Sequence, residues 1–320
     1  MSHATEFHYR LRGSARGLFP GQHRSRSGES GFEFRGHAAL HDAPDARRLD
    51  LHASLRDPFG GWVVRRYSER KAIAVALVAD LSASMGFDAS AQARGDGAAP
   101  LRGDGPAPSR VDVPAPSRVD GPAPSRRGPQ RKLDVLADFA ACLAWSAWRS
   151  GDSFGFVGCD DHVRADLAVP QTRRRGAGIA LAQALRRLQP RGASARALRD
   201  AQHHLPARRA LVFLVSDFHL PLAELENVLA SLALHDVVPV VLWQPSEFEL
   251  GAARGLAFAA EPESGAQRWL WWRPALREAW RAAHRQRREA LEALFRSHRL
   301  APLFIEGGFD AVAVTRHFLA

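Results

Sequence analysis

The sequence predicts an α/β protein built on a doubly wound, mostly parallel sheet with an N-terminal extension. Two short, unbroken apolar runs, 72–79 and 210–215, each stop at polar residues. Strands that are buried on both faces of a parallel sheet have this pattern. Segments with apolar residues three and four positions apart, typical of helices, lie between the apolar runs. Strands that alternate with helices in this way indicate a doubly wound sheet.

The composition of the 320-residue chain is that of a soluble protein, which we expect to be cytoplasmic. Its residues are 46% hydrophobic, enough for a substantial core in one large domain or two. No apolar run approaches the ~20 residues that a membrane-spanning helix needs, and residues 1–30 contain no signal-peptide core. Cys142 and Cys159 lack metal-ligand spacing, so we expect both to be buried small hydrophobic residues.

The formal net charge of +10 is concentrated in one segment. Residues 173–209 contain ten arginines and a single acidic residue, Asp200. Such a basic face favours acidic partners, and it leaves binding to nucleic acid as one hypothesis. No aromatic residue interleaves with these arginines, and no nucleic-acid motif is present. Nucleic-acid binding is therefore an alternative and not the main prediction.

The chain divides into an N-terminal region, 1–70, and a domain at 71–320 that is interrupted at 90–130. Residues 13–31 are rich in Gly, Ser and Arg and predict a loop. Residues 95–126 form four octads that resemble GDGPAPSR. This composition offers few helix or ladder hydrogen bonds and too little apolar surface to offset the entropy of ordering. We therefore expect a disordered insertion at 90–130.

The alternation of helices and strands resumes after the insertion. The predicted elements are a helix at 132–150, a strand at 153–159, a turn at Asp160 and Asp161, a strand at 162–168, helices at 178–188 and 195–203, strands at 210–215 and 237–243 with a helix at 222–234 between them, a long helix at 273–299, a strand at 300–305 and a terminal helix from 310.

Polar side chains follow the first two apolar runs at the point where each predicted strand ends. Asp80, Ser82 and Ser84 alternate after the first run, and Asp217 follows the second. Parallel strands should end on the same edge of a sheet, so we expect Asp217 to lie near Asp80. Carboxylate and hydroxyl oxygens suit Mg²⁺, which predicts a metal site. The alternative is structural, since Ser and Asp are also preferred helix N-caps.

The Asp-x-Ser-x-Ser pattern at 80–84 resembles the metal-ion-dependent adhesion site of von Willebrand factor A domains. The resemblance implies that Ser82 and Ser84 bind Mg²⁺ directly and that a carboxylate of a partner completes the metal shell. That family uses an aspartate at the place of Asp217. It also uses a threonine after a glycine in an intervening loop, where Ser194, in Gly192-Ala193-Ser194, is the substitute here.

Three stretches of the N-terminal region resemble, in order and spacing, the signature of the bacterial family catalogued as domain of unknown function 58. They are GFEF at 31–34, DARRLDL at 45–51 and VVRRYSER at 63–70. Ala43 and Pro44 stand where the family usually has Gly-Asp, and Leu51 replaces a tryptophan. Membership implies a von Willebrand factor A-like domain and a MoxR-type AAA+ ATPase partner, because members are typically encoded beside such ATPases.

The predicted function is that of a non-enzymatic, metal-dependent adaptor that binds a MoxR-type AAA+ ATPase or its client through an acidic residue. A serine hydrolase that uses Ser82 is the alternative enzyme hypothesis. The sharp turn of such enzymes needs small residues in a Gly-x-Ser-x-Gly pattern, and Asp80 and Ser84 stand in those places. A phosphate-binding Gly-x-x-x-x-Gly-Lys loop is also absent from the sequence.

Overall fold

The computed structural model describes residues 6–10, 20–24, 33–68, 70–86, 130–248, 255–260 and 267–319. Nearly all of the predicted insertion at 90–130 lies outside these residues, as does most of the predicted loop at 13–31. For residues 255–260 and 267–272 the backbone alone is described.

The strands within these ranges extend over the following residues. They are β1 (Pro20–Arg24), β2 (Glu33–Ala39), β3 (Val63–Ser68), β4 (Arg70–Lys71), β5 (Ala74–Asp80), β6 (Ser153–Cys159), β7 (Val169–Thr172), β8 (Leu211–Ser216), β9 (Asp236–Trp243), β10 (Gly255–Ala260), β11 (Gln267–Trp272) and β12 (Leu303–Glu306).

Helices alternate with most of these strands. The α-helices are α1 (Leu51–Leu55), α2 (Lys132–Arg149), α3 (Ala177–Arg187), α4 (Leu222–Ser231), α5 (Pro245–Phe248), α6 (Pro274–Ser297) and α7 (Ala311–Leu319), and 3₁₀ turns occur at Ala46–Arg48, Ala83–Gly86 and Arg196–His204. None of the helices in the described part of the chain is both long enough and apolar enough to cross a membrane.

The central sheet has six strands in the order β12-β9-β8-β5-β6-β7. Neighbouring strands are parallel except β6 and β7. Strands β6 and β7 lie on one side of β5. The chain then crosses over the sheet, and β8, β9 and β12 lie on the other side of β5. The strand order therefore reverses between β5 and β8, where doubly wound sheets bind ligands. The predicted fold class, a doubly wound and mostly parallel sheet, is confirmed.

Strand β5 lies in the middle of the sheet and is buried along its whole length. Its side chains alternate between two cores, with Val75 and Leu77 on one face and Ala76 and Val78 on the other. Helices α2, α3 and α7 cover the first face, and α4, α6 and the 196–204 turn cover the second. The unbroken apolar run in the sequence follows from this burial on both faces.

The N-terminal segment 6–10 packs into the first of these cores. The Phe7 backbone N–H donates a hydrogen bond to Ser146 Oγ on α2 at 3.0 Å. The Tyr9 hydroxyl donates to Asp152 Oδ2 at 2.6 Å, and the other oxygen of Asp152 accepts from the Ile73 N–H at 2.8 Å. Phe7, Tyr9 and Asp152 are all buried, so a segment far from the sheet in sequence completes the core at the amino edge.

The described residues of the family-signature stretches form a local unit of their own. Strands β2 and β3 are antiparallel, and Asp50 joins them to α1. Asp50 Oδ1 caps α1 by accepting from the Ala53 N–H at 3.0 Å, and Oδ2 accepts from Arg65 Nε at 2.7 Å. His37 Nε2 lies 3.0 Å from the same oxygen. The Arg65 hydrogen bond, followed by the cap, holds the pKa of Asp50 below its usual range.

The predicted strand at 162–168 is wrong, because this segment turns instead of extending. Arg164 forms ion pairs with Asp160 at 3.1 Å and with Asp166 at 2.8 Å, and its N–H donates to the Gly158 carbonyl. The residues of 162–168 contribute a single isolated bridge, between Cys159 and Val163. The partner strand of β6 is β7, which begins one residue after the predicted strand ends and runs antiparallel to β6.

Two further elements differ from the prediction. The helix predicted at 195–203 is a 3₁₀ turn at Arg196–His204, in which the Leu198 N–H donates to the Ala195 carbonyl. Its buried residues Leu198 and Ala201 are three apart, a spacing that fits a 3₁₀ turn as well as an α-helix. The antiparallel pair β10 and β11 was not predicted. Trp269, Trp271 and Trp272 lie on β11, and their side chains are outside the described part of the chain.

Candidate metal centre

Asp80 and Asp217 meet where the strand order reverses. Asp80 is the last residue of β5, and Asp217 directly follows Ser216 at the end of β8. The two strands are paired in parallel up to Ala79 and Val215, so both chains leave the sheet at the same edge. The Ser216 hydroxyl donates a hydrogen bond to Asp80 Oδ2 at 2.7 Å across this junction. Strand register thus places both aspartates in one site.

The turn after β5 adds the oxygens of Ser82 and Ser84 to the site. The Ser82 N–H donates to Asp80 Oδ1 at 2.8 Å, which folds the chain back over the carboxylate. The Ser82 and Ser84 hydroxyl oxygens are 3.1 Å apart. The Ser84 side chain also hydrogen-bonds Asp217. Four of the predicted ligands, Asp80, Ser82, Ser84 and Asp217, therefore lie in one continuous hydrogen-bonded cluster.

A neighbouring loop fixes the position of this turn. Ser82 forms a parallel bridge with Gly192, and the Ala83 N–H donates to the Gly192 carbonyl at 2.8 Å. A Cβ atom on Gly192 would lie 2.5 Å from the Cβ of Asp160, so the approach requires glycine. The predicted Gly192-Ala193-Ser194 loop therefore supports the site through its backbone.

The Ser194 side chain forms a hydrogen bond with Asp161, which is not one of the predicted metal ligands. Its hydroxyl donates to Asp161 Oδ1 at 2.7 Å, and the Ala193 N–H donates to Asp161 Oδ2 at 2.8 Å. These bonds, with that of Ser194 first, lower the pKa of Asp161. No hydrogen bond within the described residues joins Ser194 to the other four predicted ligands. A direct role for Ser194 in metal binding stays a prediction.

Lys132 is part of the site and was missed by sequence reasoning. It is the first residue of α2, and its side chain is 2% exposed. Its ammonium lies 2.8 Å from Asp217 Oδ2 and 3.0 Å from Glu247 Oε1 on α5. One signal was available: Lys71 and Lys132 are the sole lysines among 44 basic residues. An ammonium is more compact than a guanidinium, which suits the buried position of Lys132.

The segment after Asp217 is held in a rare backbone conformation. Phe218 has a φ of 51°, in the left-handed region that residues other than glycine seldom adopt. Arg287 on α6 donates from Nε to the Phe218 carbonyl at 3.2 Å, and Trp243 Nε1 donates to the Asp217 carbonyl at 2.9 Å. Side chains from β9 and α6 therefore fix the backbone that carries Asp217.

The two aspartates differ in their electrostatics. Burial, and then the charge of Asp217, raise the pKa of Asp80 to about 6, although hydrogen bonds from Ser82 and Ser216 oppose this. Burial acts in the same direction on Asp217, but the charges of Lys132 and His219, with hydrogen bonds from Lys132 and Ser84, together outweigh it and lower the pKa of Asp217 to about 2. Lys132 is itself buried, yet Asp217 and Glu247 together raise its pKa.

These residues fit a hard divalent cation through their oxygens. No three His, Cys, Asp or Glu side chains among the described residues converge on a possible metal position. The donor set would instead consist of two carboxylates and two hydroxyls, from Asp80, Asp217, Ser82 and Ser84. Mg²⁺ usually retains several waters and needs few protein ligands. Asp80 is also buried with no ion-pair partner in the described part of the chain, and a cation there would neutralise its charge.

The fold and this cluster define the class of the protein: an α/β domain with an aspartate and serine site at the topological switch point. The chain matches the model of the family described as "Protein of unknown function DUF58" over residues 122–290. The protein belongs to this family, as the sequence predicted. It is 36% identical over 104 residues to an "Uncharacterized protein in moxR 3'region" of Paracoccus denitrificans, a match that covers 32% of this chain and 98% of that protein.

Two solved structures match this chain at low similarity. An aerotolerance-related membrane protein from Bacteroides fragilis has 11% sequence identity and a TM-score of 0.37, with 77% of this chain and 96% of that chain covered. A von Willebrand factor type A protein from Catenulispora acidiphila has 13% identity and a TM-score of 0.35, with 78% and 42% covered. Likenesses at this level carry no argument about function.

Proposed function

We propose that this protein is a non-enzymatic adaptor that binds a MoxR-type AAA+ ATPase or its client through a Mg²⁺ site at the carboxyl edge of the sheet. The observation that carries the proposal is the cluster of Asp80, Ser82, Ser84 and Asp217 at the switch point. The relative in the moxR 3' region supports the choice of partner.

Asp80, Ser82, Ser84 and Asp217 would hold the cation. A bound divalent cation would supply an electropositive position that accepts a carboxylate of the partner. The role of the chain is to hold the four oxygens together before the partner arrives, through the hydrogen bonds at Ser82 and Ser216. Pre-ordered groups lose less conformational entropy on binding, which supports a recognition role for this edge.

The surroundings of Ser82 favour binding over hydrolysis. Ser82 is fully buried, and its side chain contacts are Asp80 and Ser84. A serine nucleophile needs a general base within hydrogen-bond reach, usually a histidine. No histidine among the described residues hydrogen-bonds Ser82. We therefore propose that the protein has no enzymatic role.

The test is recovery of the MoxR-type ATPase on tagged full-length protein, with Mg²⁺ or with a chelator. We expect recovery in Mg²⁺ and its loss both in chelator and in Asp80→Ala, since that change removes a carboxylate ligand. The control is Asp200→Ala, which removes an exposed aspartate and should leave recovery unchanged. Equal recovery with chelator or with Asp80→Ala would exclude the metal bridge, and no recovery under any condition would exclude the ATPase as partner.

A further inference from the structure

We propose that the Lys132 ammonium is a resident cation that competes with a divalent cation for Asp217 and so sets the metal affinity of the site. This inference rests on the proposed function and concerns the regulation of the same site. Lys132 reaches Asp217 and Glu247 at 2.8 and 3.0 Å and is 2% exposed. It is therefore a fixed internal charge and not a surface side chain that could move aside into solvent.

Three elements hold the ammonium in place. Helix α2 fixes the backbone of Lys132, because the residues that follow it, Leu133 and Leu136 among them, are buried in the core. Asp217 directly follows strand β8, and Glu247 lies on α5. Glu247 is held in turn, since its Oε1 accepts from the Gln244 N–H at 3.1 Å. The position of the ammonium is thus determined by packing.

The charges decide how this arrangement affects metal binding. Asp217 contacts both the Lys132 ammonium, at 2.8 Å, and the Ser84 hydroxyl of the candidate site. A divalent cation bound to the same carboxylate would lie a few ångströms from the ammonium, in a buried site where screening by water is weak. The two cations would repel each other. Asp80 forms no ion pair with any described residue, so the metal affinity is weakened mainly at Asp217.

Lys132 therefore acts as an affinity-determining residue for the proposed metal. With the ammonium on Asp217, one of the two carboxylates of the folded site is already neutralised in the absence of a metal. A divalent cation then binds weakly enough to exchange, which suits a site that must also release its partner.

The test replaces the ammonium without changing the local charge. Lys132, Asp217 and Glu247 together carry a formal charge of −1. The double variant Lys132→Met/Glu247→Gln retains that value, because Asp217 alone remains charged. Mg²⁺ affinity is measured by calorimetry on the full-length protein, together with the unfolding midpoint in Mg²⁺ and in chelator. We expect the dissociation constant to fall by about tenfold or more, since the nearby repulsion is removed.

Two further double variants serve as a substitute for the first and as its control. Lys132→Gln/Glu247→Gln keeps a hydrogen-bond donor beside Asp217 and serves if the methionine variant does not fold. The matched control is Arg131→Gln/Asp134→Asn, which removes a neighbouring ion pair of 3.2 Å on the same helix turn and should leave the Mg²⁺ affinity unchanged.

The outcomes separate this inference from the proposed function. Tighter Mg²⁺ binding by the double variants than by the unmutated protein supports the inference. If the unmutated protein itself binds no Mg²⁺, the metal dependence of the proposed function is overturned, but the inference still stands. Mg²⁺ binding by the unmutated protein with equal or weaker binding in the double variants overturns the inference and leaves the proposed function intact. No binding by any of them overturns both.

Discussion

Asp80 and Asp217 are both 2% exposed, but they differ in their partners. Asp217 has the Lys132 ammonium at 2.8 Å, whereas Asp80 accepts hydrogen bonds from neutral groups, the Ser216 hydroxyl and the Ser82 N–H. Neutral donors offset the desolvation of a carboxylate less fully than an opposite charge does. Without a metal, the ionised form of Asp80 therefore costs the folded state free energy, and the ionised form of Asp217 stabilises it.

This difference predicts how the stability of the metal-free protein changes with pH. The pKa of Asp80 is raised to about 6, above the ordinary value of 3.8, so the folded state binds the Asp80 proton more tightly than the unfolded state does. The contribution of Asp80 to stability is full below about pH 4 and is lost as the pH rises to about 6. The pKa of Asp217 is lowered, so its contribution is lost below pH 4 instead.

We expect the free energy of unfolding of Asp80→Asn to rise relative to that of the unmutated protein, by about 1–3 kcal/mol, as the pH increases from 4 to 7. The unmutated protein loses the contribution of Asp80 over this range, whereas an asparagine does not ionise. The measurement is urea unfolding of both proteins in chelator at a series of pH values. Asp200→Asn, at an exposed position, is the control and should follow the unmutated protein. Parallel curves for Asp80→Asn and the unmutated protein would show that Asp80 ionises normally in the folded state.

At the scale of elements, helices α2 and α3 approach each other closely through small residues. Gly178 on α3 is buried, and a Cβ atom there would lie 2.5 Å from the Cβ of Ala144 on α2. It would also lie 3.4 Å from the backbone of Ala140 and Ala141. Because α2 also carries Lys132, this close contact contributes to the position of the ammonium at the sheet edge.

We expect Gly178→Ala to destabilise the protein by about 1–3 kcal/mol because α3 must move away from α2. Helix propensity alone predicts the opposite, a gain of about 1 kcal/mol. The control is Gly176→Ala, two residues earlier, where an added Cβ would meet no atom within 4 Å. Denaturant unfolding compares the two variants, and equal stability would mean that the helices adjust without cost.

At the scale of the whole molecule, the basic segment 173–209 extends from the start of α3 to the candidate metal site, where its Gly192 forms a bridge with Ser82. Arg173, Arg174 and Arg175 precede α3 on the face of the sheet that α2 covers. Arg175 stacks 5.0 Å from the rings of both Trp145 and Trp148. The formal net charge of +10 favours an acidic partner, and such steering weakens as salt screens it.

Replacing Arg173, Arg174 and Arg175 by Gln should weaken binding of the ATPase and reduce the dependence of the association rate on salt. The matched control neutralises Arg281, Arg285 and Arg296 on α6, which packs on the opposite face of the sheet. Surface plasmon resonance at several salt concentrations gives both rates. An equal loss in the two triple variants would point to net charge instead of a docking face.

The sequence by itself determined the buried central strands of the sheet and the edge at which the candidate metal site lies. Strands β5, β8 and β9 were predictable because burial on both faces demands continuous apolar residues, a local signal. Asp80 and Asp217 could be assigned to one edge because parallel strands end on the same side. The family could be predicted from charged stretches whose order is preserved.

Tertiary structure alone decided what surrounds those aspartates. Lys132 and Asp217 are 85 residues apart and Ser216 and Asp80 are 136 apart, and no local pattern specifies such pairs. The hydrogen bond from the Ser194 hydroxyl to Asp161 joins residues 33 apart, and a direct role for Ser194 in metal binding stays a prediction. Hydrophobic periodicity records whether a residue is buried, whereas the partner of a buried polar group depends on which elements pack against each other. The charge balance of the site therefore appears only once α2, β8 and α5 are assembled.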